Sequence, residues 1–216
     1  MFSLKNKIEN NTDTRSVILQ AASELFAKNG FDAVSIREIS KAADVNIALI
    51  SYHFGSKEGL FTAIIESRLP LMGEMLRGIQ EQNIPCWEKM CQAIDAYVLR
   101  LFSNKAFSRM LYREMSLNSR PEHTQRALDF IMKNMLIFEK IIEEGQANGE
   151  FKTAIDVKMT ISTVVGLIVQ SVNFSSFTAR VIGTNNEEDV FSEQYQERVK
   201  KHLKEMLSSH LLNIGR

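Results

Sequence analysis

The chain is poor in the residues that mark most other classes of protein. Cys86 and Cys91 are its only cysteines, too few for a disulfide scaffold and at a spacing that fits no zinc motif. A reducing compartment, the cytoplasm, is therefore the expected location. Three prolines (Pro70, Pro85, Pro121) and ten glycines are the only strong breakers in 216 residues, and no alternation of apolar and polar residues lasts long enough for a strand. Neither sign of charge dominates. The 26 basic residues balance 26 acidic ones, so no bulk positive potential draws the chain to nucleic acid. Residues 1–14 are polar and lack the apolar centre of a signal peptide. The most apolar run, residues 164–172, contains Gly166, Gln170 and Ser171 and is too short to cross a bilayer. His53, His123, His202 and His210 show no helical zinc-protease spacing, and no nucleophile motif or phosphate loop occurs. An enzyme is thus disfavoured, and no cofactor, metal or membrane is expected.

What is present is a helical composition. The chain is 44% hydrophobic, and its apolar residues recur at three- and four-residue steps. The expected fold class is all-α, with about nine helices. Residues 1–12 read as a frayed arm. Thr12 or Asp13 can cap a first helix with Val17, Ile18, Ala21, Leu25 and Phe26 on its inner face. Asn29-Gly30 ends it. Ser35-Ile36-Arg37-Glu38 forms a capping box, in which the serine hydroxyl and the glutamate each satisfy a free backbone amide. The helix it opens reaches about Ala43. Asp44-Val45-Asn46 makes a turn, and Asn46 caps a third, short helix closed at Gly55. Two short helices joined by such a turn are the helix-turn-helix plan.

The third helix divides its side chains. Val45, Ile50 and Phe54 fall on the side that must pack, and Asn46, Ile47, Leu49, Ser51, Tyr52 and His53 on the other. An α-helix fits the DNA major groove, where polar side chains meet base edges and apolar ones meet thymine methyls. Lys57 stands in the first turn of the next helix, where a lysine opposes the helix dipole. That placement makes sense if an outside anion such as a DNA phosphate binds there. Charge gives no help, because residues 1–60 carry seven basic and seven acidic groups. Tyr52 and His53 suit equally the half-buried end of a small core.

Ser56 caps a fourth helix that carries Leu60, Phe61, Ile64 and Ile65 inward and runs to about Glu81, with Pro70 expected to kink or break it. Helices follow over residues 87–102, 106–115 and 121–147. Asp156 caps a further one, apolar around most of its circumference, over residues 156–180. A polar loop leads to a last helix over residues 190–212. Cys86 and Cys91 flank Trp87 and read as core thiols, with a redox sensor as the alternative.

Several motifs in this order carry a resemblance. They are Ile18-Leu19-Gln20-Ala21-Ala22, Leu25-Phe26, Gly30-Phe31, Ser35-Ile36-Arg37-Glu38-Ile39 and Ala42-Ala43-Asp44-Val45. Tyr52-His53-Phe54-Gly55-Ser56-Lys57-Glu58-Gly59-Leu60-Phe61 completes them. Residues 17–61 resemble the amino-terminal domain of the TetR/AcrR family of bacterial transcriptional regulators. The resemblance implies that Arg37, Ile47, Ala48, Leu49 and Ser51 face base edges, and that Ser35, Tyr52, His53 and Lys57 hold phosphates. Two departures stand out. The family usually has an aromatic residue where Ser51 stands, and often polar or small ones where Ile47 and Leu49 stand, so no operator sequence is inherited.

The resemblance further implies a helix-turn-helix domain over residues 1–58 and a ligand-binding and dimerisation domain over residues 59–216. The fragment Arg113-Glu114-Met115-Ser116 is similar to one branch of such carboxyl-terminal domains. Its candidate pocket walls are Met72, Met75, Trp87, Met90, Tyr97, Phe107, Met110, Phe130, Met135, Phe138 and Phe174, an apolar set that reads equally as plain core. Ile161, Val165, Ile168, Val172, Val199, Leu203, Met206 and Leu207 are candidates for a homodimer interface, or for the monomer's own core. The expected function is a ligand-responsive regulator. As a homodimer it would repress by binding palindromic double-stranded operator DNA, and a small apolar effector would release it. A helical adaptor without DNA binding and a transcriptional activator are the alternatives.

Overall fold

Helix boundaries fall where short polar side chains and glycines sit. The computed structural model describes residues 2–117 and 120–213, with side chains from Thr14 onward. Among these residues are ten α-helices: α1 Phe2–Asn29, α2 Ile36–Ala42, α3 Ile47–Phe54, α4 Lys57–Gln80, α5 Cys86–Ser103, α6 Lys105–Leu117, α7 Pro121–Ala147, α8 Val157–Asn173, α9 Ser175–Ile182 and α10 Glu193–Leu211. Ser35, Asn46, Asp156 and Ser192 each cap a helix through a side-chain oxygen. Gly30, Gly55, Gly149 and Gly183 take positive φ just past helix ends. The described residues contain no strand, only an isolated bridge between Phe151 and Leu212. The all-α expectation is met.

Four expectations about boundaries need correction. α1 begins at Phe2, so the helix runs through Thr12 and Asp13 rather than starting there. No glycine or proline interrupts residues 2–29, and a capping residue does not end a helix that its neighbours can continue. Pro70 lies inside an unbroken α4. The ring removes the donor for the Glu66 carbonyl, but Leu69 and Met72 beside it are buried and hold the turn. The single helix expected over residues 156–180 is two helices, α8 and α9, bent by 101° at Phe174. A 3₁₀ turn, Glu187–Phe191, precedes α10, which starts at Glu193 rather than Val190. The described residues thus hold ten α-helices where about nine were expected.

The chain separates into two compact units. The first comprises Met1–Arg68 with Arg109–Ala127, and the second Leu69–Ser108 with Leu128–Arg216. These units are drawn along other lines than the boundary expected between residues 58 and 59. The dividing point in α4 falls nearly three turns later, just ahead of Pro70.

In the first unit Phe26, Phe31 and Phe61 form an aromatic centre with ring centroids 5.1, 5.3 and 5.9 Å apart. Ile18, Ala22, Ile39, Ile50, Leu60 and Ile64 close around it. Val17, expected inside, faces outward.

The second unit has one core to which α4, α5, α7, α8 and α10 contribute. Here the dimer expectation meets a physical obstacle. Ile161, Ile168, Val172, Val199, Leu203 and Leu207 are buried within the single chain. Only Val165 and Met206 remain half-buried. The apolar faces of α8 and α10 pair with their own chain, so those six side chains are not surface. Among the described residues no single helix is long and apolar enough to cross a membrane.

Candidate nucleic-acid interface

The candidate site is built on three short segments of the first unit. At the start of α2 the Ser35 hydroxyl accepts the Glu38 amide N–H at 3.2 Å and donates to Glu38 Oε2 at 2.7 Å. Glu38 Oε2 in turn accepts the Ser35 amide N–H at 2.7 Å. The backbone bond and then the hydroxyl bond hold the Glu38 carboxyl below its ordinary pKa. The turn into α3 depends on Asp44, whose φ of 51° is left-handed, a conformation Asp tolerates better than most residues. Asn46 Oδ1 then accepts the Ala48 amide at 2.8 Å and starts α3.

α3 shows the expected division. Ile50 is buried, which contributes about 1.5–3 kcal/mol of apolar burial, and Val45 and Phe54 are half-buried. Asn46, Ile47, Ala48, Leu49, Ser51 and Tyr52 are exposed. Tyr52, at 76% of its full exposure, stands clear of every core. Gly55 closes the helix, and Ser56 Oγ accepts the Gly59 amide at 3.0 Å to open α4. A Cβ at Gly59 would fall on the Phe54 carbonyl oxygen, so the sharp α3–α4 corner requires glycine.

The residues expected to face bases, Arg37, Ile47, Ala48, Leu49 and Ser51, are all exposed. Of those expected at phosphates, Tyr52 is exposed as well, and the other three have polar atoms already engaged or buried. The Ser35 hydroxyl proton is already given to Glu38. His53 is half-buried between the rings of Tyr52 and Phe54, at 5.2 and 5.8 Å, and its Nε2 is buried without a partner. The Lys57 ammonium donates to the carbonyls of Phe31 at 2.9 Å and Val34 at 2.8 Å, and lies 4.3 Å from the centroid of the Phe31 ring. Drawing it outward would strip a donor from both carbonyls, at about 1–3 kcal/mol for each group left unpaired. The expected dipole argument therefore has another solution: the lysine braces the α1–α2 loop.

Two features escaped sequence reasoning. Arg15 on α1 sets its guanidinium 5.4 Å from the Phe54 ring centroid. The second segment of the unit, residues 109–127, also meets the α1–α2 loop. The Arg113 guanidinium occupies the space that a Cβ at Gly30 would need, Arg120 pairs with Asp32 and Glu114, and His123 packs on Phe61 at 5.4 Å. No local pattern signals contacts between residues so far apart in sequence.

The candidate effector walls are scattered. Met72, Met90, Tyr97 and Phe138 lie in the core of the second unit, and Trp87 and Met135 pack against it. Phe107 and Met110 are buried and Phe130 is half-buried. Met75 and Phe174 face outward, so neither can line an interior cavity. Two open hollows, of ≈ 260 and ≈ 370 Å³, lie elsewhere, along α8 with α10 and beside the 3₁₀ turn, and none of the candidate walls lines them. Burial pushes both thiols up, Cys86 and Cys91 alike, which works against the thiolate a redox sensor needs.

Comparison with known proteins gives two matches in series. Residues 18–64 match the family described as bacterial regulatory proteins, tetR family. Residues 83–173 match the tetracyclin repressor-like, C-terminal domain. The probable HTH-type transcriptional regulator YttP of Bacillus subtilis (strain 168) is 28% identical over 191 residues, covering 87% of this chain and 90% of that protein. The HTH-type transcriptional repressor NicS of Pseudomonas putida is 31% identical over 143 residues, covering 64% of this chain and 66% of that one. Among solved structures, the regulator FadR from Bacillus subtilis, in complex with stearoyl-CoA, shares the fold with a TM-score of 0.68. It is 20% identical and covers 87% of this chain and 96% of that one.

Proposed function

This chain belongs to the TetR family of bacterial regulatory proteins, and we propose that it works as a ligand-responsive transcriptional repressor of palindromic operator DNA. The observation that carries the reading is the division of α3. Ile50 anchors the helix while Ile47, Ala48, Leu49, Ser51 and Tyr52 stand free along one exposed surface. A helix presented this way can enter a major groove, with Ser51 and Arg37 offering hydrogen bonds and Ile47 and Leu49 offering contacts to thymine methyls.

A homodimer would set two α3 helices in successive major grooves, about one DNA turn apart or a small multiple of it. The exposed apolar residues Met159, Phe174, Phe177 and Val181 at α8 and α9 are the surface proposed to join the copies. A small apolar molecule among the carboxyl-terminal helices would shift α4, change the spacing of the reading helices and release the DNA. Such control needs only unequal affinity for two arrangements. An acyl chain, as in the stearoyl-CoA complex of the Bacillus subtilis regulator, is one member of that apolar class.

The test is gel retardation of DNA from upstream of the chain's own coding sequence. Retardation that weakens steeply with salt is expected. A protein that retards none of this DNA at low salt contradicts the reading.

A further inference from the structure

We propose that the hollow along α8 and α10 binds a soft monovalent cation of the copper(I) class. Its ligands are the thioethers of Met159 and Met206 and the imidazole of His210. The proposal stands apart from the DNA-binding reading, because it concerns side chains of the second unit alone.

Among the described residues no group of three histidines, cysteines or carboxylates is placed to hold a metal ion. Thioether sulfur is a ligand of another kind. It is neutral and polarisable, a poor partner for magnesium or calcium and a good one for copper(I). Two methionines and a histidine line the same open hollow of ≈ 260 Å³. Met206 and His210 lie four residues apart on α10, so they project from one side of that helix. Met159 comes from the first turn of α8. It is exposed, so core packing does not account for it.

The histidine is held in one tautomer. The Thr160 hydroxyl donates to the Asp156 carbonyl at 2.8 Å, which uses its only proton. Toward His210 Nε2, 3.0 Å away, it can therefore only accept. The neutral ring thus carries its hydrogen on Nε2 and keeps a lone pair on Nδ1. An imidazole that gives one N–H to a fixed acceptor is oriented for a metal at its other nitrogen.

Charge also favours a cation of low charge. His210 stands in the last turn of α10, the negative end of the helix. The Asp156 carboxylate lines the hollow too. All three ligands are neutral, so that single carboxylate balances one positive charge and not two.

Silver(I) is the ion used for the test, since it is soft, monovalent and needs no reductant. Full-length protein carrying ¹³C-methyl methionine is titrated with silver nitrate and followed by methyl NMR. Met159→Leu and Met206→Leu assign the two signals, because leucine nearly conserves the volume of methionine. A parallel titration of the Cys86→Ala, Cys91→Ala variant separates binding by the thiols. Circular dichroism checks that each variant is folded. In the cysteine-free protein both methyl signals are expected to shift and to saturate at an equimolar ratio. Zinc(II) is expected to leave them in place. By calorimetry, the Met159→Leu, Met206→Leu double variant and His210→Gln should each bind silver(I) about tenfold or more weakly. Signals that stay in place, that drift without saturating, or that move equally with zinc(II) overturn the proposal. Undiminished affinity in the double variant or in His210→Gln overturns it as well.

Discussion

The guanidinium of Arg120 lies 3.8 Å from the centroid of the Phe31 ring, on a loop that the Lys57 ammonium also braces. Arg120 bonds Glu114 Oε2 at 2.8 Å and pairs with Asp32. The Glu114 side chain is only 7% exposed, so removing the guanidinium leaves a buried carboxylate without its counter-charge. Arg120→Ala is expected to lower stability by about 3–5 kcal/mol, the cost typical of breaking one side of a buried pair. Urea unfolding measures it. Loss of less than about 1 kcal/mol, the scale of an exposed pair, would show that the cluster is solvated.

Acid should weaken the amino-terminal end of α2. The Ser35 amide and hydroxyl depress the Glu38 pKa in the folded chain. A depressed carboxyl contributes stability that is fully present above its unfolded pKa and is lost as pH falls through its folded value. The thermal midpoint of wild type should therefore exceed that of Ser35→Ala at neutral pH. The gap should shrink below the ordinary carboxylate range. A gap that stays constant or widens in acid contradicts the assignment.

Along α3, burial separates two kinds of substitution. Ile50→Ala empties a buried site and should cost about 2–5 kcal/mol. Leu49→Ala and Ser51→Ala touch exposed positions. They should leave the urea midpoint nearly unchanged and alter which DNA sequences are preferred. Competition between DNA fragments reads the second effect, and a uniform loss across all sequences would remove these residues from base recognition.

The oligomeric contact can be located in the same way. Leu203→Asp puts a charge at a fully buried core position and should unfold the chain. Phe177→Asp or Val181→Asp alters an exposed apolar surface of α9 and should give folded monomers. Sedimentation velocity distinguishes these outcomes. Folded monomers from Leu203→Asp, or dimers that persist in both α9 variants, would place the interface elsewhere.

What could be read from sequence was local. The Ser35 and Glu38 box, the Asn46 cap and the Gly30 stop each involve residues within a turn of one another, so their chemistry fixes a helix end without help from the rest of the fold. The all-α class and the outward surface of α3 followed from periodicity for the same reason. Three things were beyond reach. Lys57 bonds carbonyls 26 and 23 positions earlier, and neither partner leaves a trace beside the lysine. The apolar stripes of α8 and α10 look alike whether they pack within one chain or between two; only burial of Leu203 and Leu207 in one chain separates the cases. The 101° bend at Phe174 falls at a residue type with no tendency to break a helix, so no local signal marks it.

The central claim is that two copies of α3 read DNA together. Selection of bound sequences from a random DNA pool tests it most directly. The account predicts enrichment of an inverted repeat whose half-sites lie about one helical turn, or a small multiple of it, apart. Recovery of sequences no different from the starting pool would contradict it.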